Sequence, residues 1–160
     1  MYFELGRPEP PRRRTGVAGF FTRRIDDELN VLLMPATTGG SWQLPGGDAE
    51  SDEFMHEAYE REIAEKTGLS PAAPEEILVV DHVPRGVTEA EGLDVVFKGA
   101  DVIPYTTDPT TTAYRWATLK ETDDLCLGPE RDRIRSAHDA WLTGRTTYLI
   151  WGEPVTTRRP

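Results

Sequence analysis

The stretch from Gly47 to Lys66 concentrates the residues of this chain that could do chemistry. It holds eight acids (Asp48, Glu50, Asp52, Glu53, Glu57, Glu60, Glu62 and Glu65) and two bases, Arg61 and Lys66. Its charge of −6 is more than half of the chain's −10, in one eighth of the length. Such crowding repels itself unless water solvates it or a counter-charge neutralises it. A divalent cation is one counter-charge; plain solvation of an exposed face is the other. The spacing adds to this. Glu62, Glu65 and Lys66 stand at i, i+3 and i+4, so in a helix they share one face. Two carboxylates converging there can hold a hard cation such as Mg²⁺ through oxygen ligands. Gly46-Gly47 lets bare backbone approach the same place, and a carbonyl of that turn could be a further ligand. A cation held this way can exchange waters for phosphate oxygens while a carboxylate orients or deprotonates water, which is the layout for metal-assisted attack on phosphorus.

The elements that must position these residues can be read from pattern. Asp52 to Thr67 lacks Gly and Pro, and Phe54, Met55, Ala58, Tyr59 and Ile63 recur at helical spacing. Ser51 or Asp52 is expected to cap this helix and Gly68 to end it. Before it, Gly16–Arg23 and Asn30–Met34 read as strands joined at the Asp26-Asp27 turn, and Trp42–Leu44 as a short extended piece stopped by Pro45. After it come a Pro71–Pro74 linker, a strand over Ile77–Val83, and a loop over Pro84–Gly92. One or two strands over Leu93–Ile103 follow, interrupted near Gly99. Thr111–Ala117 is β-rich, Pro129–Leu142 reads as a second helix ended by Gly144, and Tyr148–Trp151 as a last strand. The pattern predicts one α/β or α+β domain built on a mixed sheet. Residues 1–14, rich in Arg and Pro, are expected to be an arm, either solvated or contacting phosphate. The domain is expected over 15–152, with a tail over 153–160.

Composition narrows the class. A chain of 160 residues fits one domain with a sizeable core. A net charge of −10 argues against general binding to nucleic acid or anionic lipid, but not against a small anionic substrate brought with a cation. No run approaches the roughly 18 apolar residues of a membrane helix. Met1–Arg14 has no apolar run after its bases, so no secretory signal is expected. A single cysteine, Cys126, excludes an internal disulfide and a multi-thiolate zinc site. A cytoplasmic protein is the simplest expectation. His56, His82 and His138 do not cluster, and no nucleophile elbow occurs. Cys126 reads as a small buried residue. Arg85, in the loop, is either an ordinary surface arginine or a phosphate contact. Trp42 and Trp116 are either packing aromatics or base-stacking platforms.

The segment from Leu44 to Leu69 resembles the Nudix box, G-x5-E-x7-R-E-U-x-E-E-x-G-U, where U is aliphatic. Gly47, Glu53, Arg61, Glu62, Ile63, Glu65, Gly68 and Leu69 match eight of nine fixed positions at the family's spacing. The order of elements over most of residues 15–145 is similar as well. The resemblance implies an α/β/α sandwich around a mixed sheet. It implies hydrolysis of a phosphoanhydride bond in a nucleoside diphosphate derivative (a nucleotide, dinucleotide or nucleotide sugar) with Mg²⁺ or Mn²⁺, and is compatible with a homodimer. Carried over by position, Glu62 would be metal ligand or general base, Glu65 a metal ligand, and the Gly46 carbonyl part of the metal shell. Arg61 would orient the glutamates, and Glu53 would be a structural partner. The ninth position departs: the second glutamate of the E-E pair is Lys66. A charged lysine has three donors and no acceptor, so it cannot ligate a cation. Three readings stand open. Lys66 contacts a substrate phosphate in place of a metal; or it marks a domain that binds with little hydrolysis, a nucleotide-binding or regulatory module; or it is tolerated, with ligands from Asp94, Glu121, Asp123 or Asp124.

Overall fold

The computed structural model describes residues 12–37, 39–87, 90–99, 102–104 and 114–155. In chain order the strands before the first helix are β1 (Arg14–Phe20), β2 (Thr22–Ile25), β3 (Glu28–Pro35), β4 (Trp42–Gln43) and β5 (Gly46–Asp48). Helix α1 (Met55–Thr67) is followed by β6 (Leu69–Pro71), β7 (Glu76–Val83), β8 (Gly92–Lys98), β9 (Val102–Pro104) and β10 (Arg115–Thr118). Helices α2 (Leu119–Leu125) and α3 (Gly128–Thr143) precede β11 (Thr147–Ile150) and β12 (Glu153–Pro154).

Six strands form the main sheet in the order β12-β11-β7-β8-β1-β5. It is mixed, because β1 runs parallel to β8 and antiparallel to β5. β10, β3 and β2 form a second sheet, with β4 on the edge of β3, and β6 pairs with β9. Alternation along the strands splits the core in two. Val17, Leu32, Val95 and Phe97 pack with Ala58, Tyr59 and Ile63 of α1. Phe20, Val31, Leu33 and Val96 pack with Ile134, Ala137 and Ala140 of α3. Both faces of the shared strands are therefore covered, which is why they read as nearly continuous apolar runs. This is the expected sandwich of helices about a mixed sheet, in one domain. No helix of the described residues is long and apolar enough to cross a membrane.

Several boundaries differ from expectation. Gly16–Arg23 is two strands, because the chain leaves the main sheet at Phe21, whose ring packs on Tyr59, and enters the second sheet at Thr22. The Asp26-Asp27 turn holds, with φ of 51° and 65°, the positive values a tight hairpin requires. Helix α1 starts at Met55, not Asp52. Asp52 has φ of 65°, the Glu53 N–H donates to the Glu50 carbonyl, and neither Ser51 nor Asp52 caps. Glu57 instead accepts from the Phe54 N–H at 3.0 Å. Phe54, expected on the buried stripe, is 69% exposed and stacks on His56. Gly68, at φ of 71°, ends the helix as expected. Helix α2 was not expected, although Thr118 and Glu121 bond reciprocally as a capping box that Thr-Leu-Lys-Glu spells out. Residues 111–113 of the β-rich stretch and 156–160 of the tail lie outside the described residues, as do residues 1–11 of the arm. Arg14, placed in the arm by sequence, opens β1, and Glu153–Pro154 of the tail pairs with β11.

Candidate functional site

The Gly46-Gly47 pair, expected as a turn, lies instead in strand β5, the antiparallel neighbour of β1, with Val17 opposite Gly47 and Ala18 opposite Gly46. Helix α1 lies beside it, so the box residues meet although a long loop separates them in sequence. Gly47 is required by what faces it: a Cβ there would collide with the Glu62 carboxylate and approach Lys66 Nζ to 2.6 Å. The bare backbone is what allows helix and turn to close on each other.

Arg61 organises the box. Its Nε and Nη2 donate to the two oxygens of Glu53 at 2.7 and 2.9 Å, a bidentate pair. Nη1 donates to Glu62 Oε1 at 2.9 Å and reaches Glu65 Oε2 at 3.4 Å. Nη2 also donates to the Asp48 carbonyl at 3.1 Å, tying the helix to the glycine turn. The Arg61 hydrogen bonds, followed by the Glu50 N–H, hold the Glu53 carboxyl at about 2, well below its ordinary 4.5. Glu53 in turn, with Glu62, pushes the Arg61 guanidinium further up.

Glu62 is nearly buried, its side chain 11% exposed. Oε1 is held by Arg61, and Oε2 faces Lys66 Nζ at 2.8 Å as an ion pair without a well-directed hydrogen bond. The same ammonium donates to the Gly46 carbonyl at 3.0 Å. Glu65 is largely exposed and turned to Arg61. The resemblance assigns Gly46, Glu62 and Glu65 to a metal shell. Two of the three oxygens it needs are faced by one lysine ammonium, and the third carboxylate is engaged by an arginine. Among the described residues no group of three or more His, Cys, Asp and Glu side chains is placed to hold a metal ion. The donor set as it stands fits an ammonium, not Mg²⁺ or Mn²⁺.

Beside the turn lies a cavity of about 170 Å³, lined among others by Arg14, Gly46, Gly47, Asp94, Glu130 and Arg133. It continues into a wider one of about 370 Å³ that reaches Val83, Leu127 and Trp151. The cavity is dominated by a second charged cluster. Arg133 of α3 is paired with Asp81 at 2.7 Å, Asp94 at 3.2 Å and Glu130 at 2.6 Å. Arg14 is paired with Asp48 at 2.6 Å and Asp94 at 2.8 Å. Asp81 is fully buried and also accepts the Gly152 N–H. Glu130 accepts the Leu44 N–H, fixing the approach to the turn. Burial opposes the charge on Arg133, but Glu130, Asp94 and Asp81 more than offset it, and its pKa is raised. Arg14 is raised in the same way: burial lowers it, and Asp94 and Asp48 raise it further.

Sequence reasoning brought Glu53, Arg61, Glu62, Glu65, Lys66 and Gly46 together, and the structure does the same. Asp94, one of its alternative ligands, does line the cavity, between two arginines. Glu121, Asp123 and Asp124 do not line it: Glu121 caps α2, Asp123 pairs with Arg135, and Asp124 is exposed. Arg85 is exposed and lines neither cavity. Trp42 packs on the α3 side of the core beneath Arg115, and Trp116 on the α1 side beneath Arg23. Neither tryptophan lines the cavities. Cys126 is buried, and that burial, with Glu130 and Asp123 nearby, pushes its thiol up to about 12, so it is no nucleophile. Sequence reasoning missed Arg14, Asp81, Glu130 and Arg133. The available signals were an aspartate inside the apolar run Ile77–Val83 and an arginine beside Ile134 on the core face of a helix.

Residues 12–138 match a family model described as the NUDIX domain. A MutT-like protein of Streptomyces ambofaciens is 32% identical over 78 residues, 49% of each chain, so this chain spans about half the length of that curated relative in the match. Among solved structures, a NUDIX hydrolase from Nitrosomonas europaea is 20% identical, with 93% of this chain and 97% of that one covered at a TM-score of 0.64. The NUDIX domain of Shewanella oneidensis NrtR, solved in complex with ADP ribose, is 20% identical over 86% of this chain and 96% of that one, at a TM-score of 0.62. At these identities the structures speak for the fold alone. The family match covers most of the chain and contains the whole Gly47–Leu69 box: the chain belongs to the NUDIX family of hydrolases.

Proposed function

We propose that the chain hydrolyses a phosphoanhydride bond in a small nucleoside diphosphate derivative bound across the Gly46-Gly47 turn. The observation that carries this reading is the placement of Glu62. It is nearly buried, clamped at Oε1 by Arg61, and set against a glycine turn that forms one wall of a polar cavity. With Oε1 fixed, Oε2, which Lys66 Nζ faces at 2.8 Å, is the oxygen that would take the proton of a water attacking phosphorus. Arg61 positions Glu62 and does not touch the reacting atoms in this reading. The Gly46 and Glu62 oxygens that the resemblance gives to Mg²⁺ or Mn²⁺ face Lys66 instead. The net charge of −10 favours a small substrate over nucleic acid or an anionic membrane. A cytoplasmic location and a homodimer belong to the same reading. A second reading, a nucleotide-binding or regulatory module with little turnover, is favoured by the Lys66–Glu62 ion pair, which competes for the oxygen that would serve the water.

The test is release of phosphate, pyrophosphate or nucleoside monophosphate from a panel of nucleotides, dinucleotides and nucleotide sugars, with and without Mg²⁺ and Mn²⁺. Turnover by the native chain is expected, with Glu62→Gln about 100-fold slower and equally folded. Full turnover in Glu62→Gln would move the base elsewhere. Saturable binding with no turnover under any condition would establish the binding module.

A further inference from the structure

Arg14 and Arg133 line the cavity beside Gly46 and Gly47, Arg61 and Lys66 reach the same strand from helix α1, and three of these four cations are spent. Arg14 is held by two carboxylates, Arg133 by three, and Arg61 by the bidentate Glu53 together with Glu62 and Glu65. Lys66 differs. Among the described residues its ammonium meets one carboxylate oxygen, Glu62 Oε2, and one neutral oxygen, the Gly46 carbonyl. An ammonium has three N–H donors, so this leaves one direction open, and the side chain is 40% exposed. The other oxygen of Glu62 is engaged by Arg61, so both oxygens of that carboxylate already face a cation.

These observations rest on the reading that the ligand carries a diphosphate at the turn, and they deepen it. We propose that the Lys66 ammonium is a covalently tethered substitute for a divalent cation, making the third contact to a diphosphate oxygen of the ligand. A lysine is a compact point charge on a flexible stem, suited to phosphate without demanding the planar match of an arginine. Its two protein contacts, at 2.8 and 3.0 Å, fix the ammonium over the turn, so little side-chain freedom remains to be lost when the ligand arrives. A divalent ion entering the same oxygens would have to displace the ammonium and would then sit beside it. The consequence is that ligand binding by the native chain is independent of Mg²⁺.

Two measurements on the full chain test this. In the first, binding of ADP and of inorganic pyrophosphate is measured by titration calorimetry in EDTA and in Mg²⁺. Native affinity is expected to differ less than about threefold between the two buffers, and Lys66→Met to weaken it in EDTA by about tenfold or more. In Lys66→Glu binding is expected to be lost in EDTA and recovered with Mg²⁺. In the second, capture of Mn²⁺ without any phosphate ligand is followed by loss of the free-ion electron paramagnetic resonance signal. Lys66→Glu is expected to capture Mn²⁺ and the native chain not to; thermal melts confirm that each variant is folded. Native binding that requires Mg²⁺, or undiminished affinity in Lys66→Met, overturns the proposal. So does Mn²⁺ capture by the native chain, whatever becomes of the ligand. If neither probe binds the native chain in either buffer, the diphosphate reading itself falls and takes the ligand half of this proposal with it, while the Mn²⁺ arm still reports on the ammonium's place.

Discussion

Two arginines hold fans of carboxylates, Arg61 beside the Gly46-Gly47 strand and Arg133 in the cavity next to it, and they do different work. Arg61 gathers Glu53, Glu62 and Glu65, all within α1 and the loop before it, and its side chain remains 26% exposed. Arg133 gathers Asp81, Asp94 and Glu130 from β7, β8 and α3, and its side chain is 11% exposed. The first fan is local and wet, and sets the direction of the Glu62 carboxylate. The second is long-range and dry, and binds the main sheet to the last helix. Water screens the first and leaves its members replaceable at modest cost, whereas the second consists of charges whose removal strands a partner out of water. A shared residue type thus gives a positioning device on helix α1 and a structural joint on helix α3.

The comparison breaks most readily at Arg133. Arg133→Met leaves Asp81 fully buried with, among the described residues, the Gly152 N–H as its side-chain partner, and is expected to cost about 3–5 kcal/mol in urea unfolding. A loss under about 1 kcal/mol would deny the joint its structural role. A smaller effect sharpens the other side. The Glu53 carboxyl sits at about 2 instead of 4.5, so its contribution is complete above its ordinary value and is lost as pH falls through about 2. The difference in Tm between the native chain and Glu53→Gln should therefore be constant from pH 7 to about pH 5 and shrink toward pH 2. A difference that stays unchanged down to pH 2 would mean that the Arg61 pair contributes nothing through ionisation. The smallest effect is expected at Arg85, which belongs to neither fan. Arg85→Ala should shift stability by less than about 0.5 kcal/mol and leave ADP binding unaltered; weakened binding would bring the loop into the site.

The same contrast explains what could be read in advance. The Arg61 fan was legible because Glu53, Arg61, Glu62 and Glu65 are neighbours in sequence, and helical spacing alone puts three of them on one face. The Arg133 fan was not, since Asp81 and Arg133 are 52 positions apart and meet only through the order of strands β7, β8 and β1. Arg14 was hidden for a related reason: its proline- and arginine-rich neighbourhood predicts an arm, while β8 recruits it as the first residue of a parallel strand. Lys66 was recognised as a departure, but its place over the Gly46 carbonyl depends on how β5 and α1 close, which spacing does not specify. Helix ends misled in one case, where Asp52 adopts a positive φ and the cap moves to Phe54 and Glu57.

Gly47 presents bare backbone to residue 66, so a change there meets no side chain of the facing glycine. Lysine and glutamate codons differ by one first-base transition. The scaffold described here therefore lies a single nucleotide away from a carboxylate at this position.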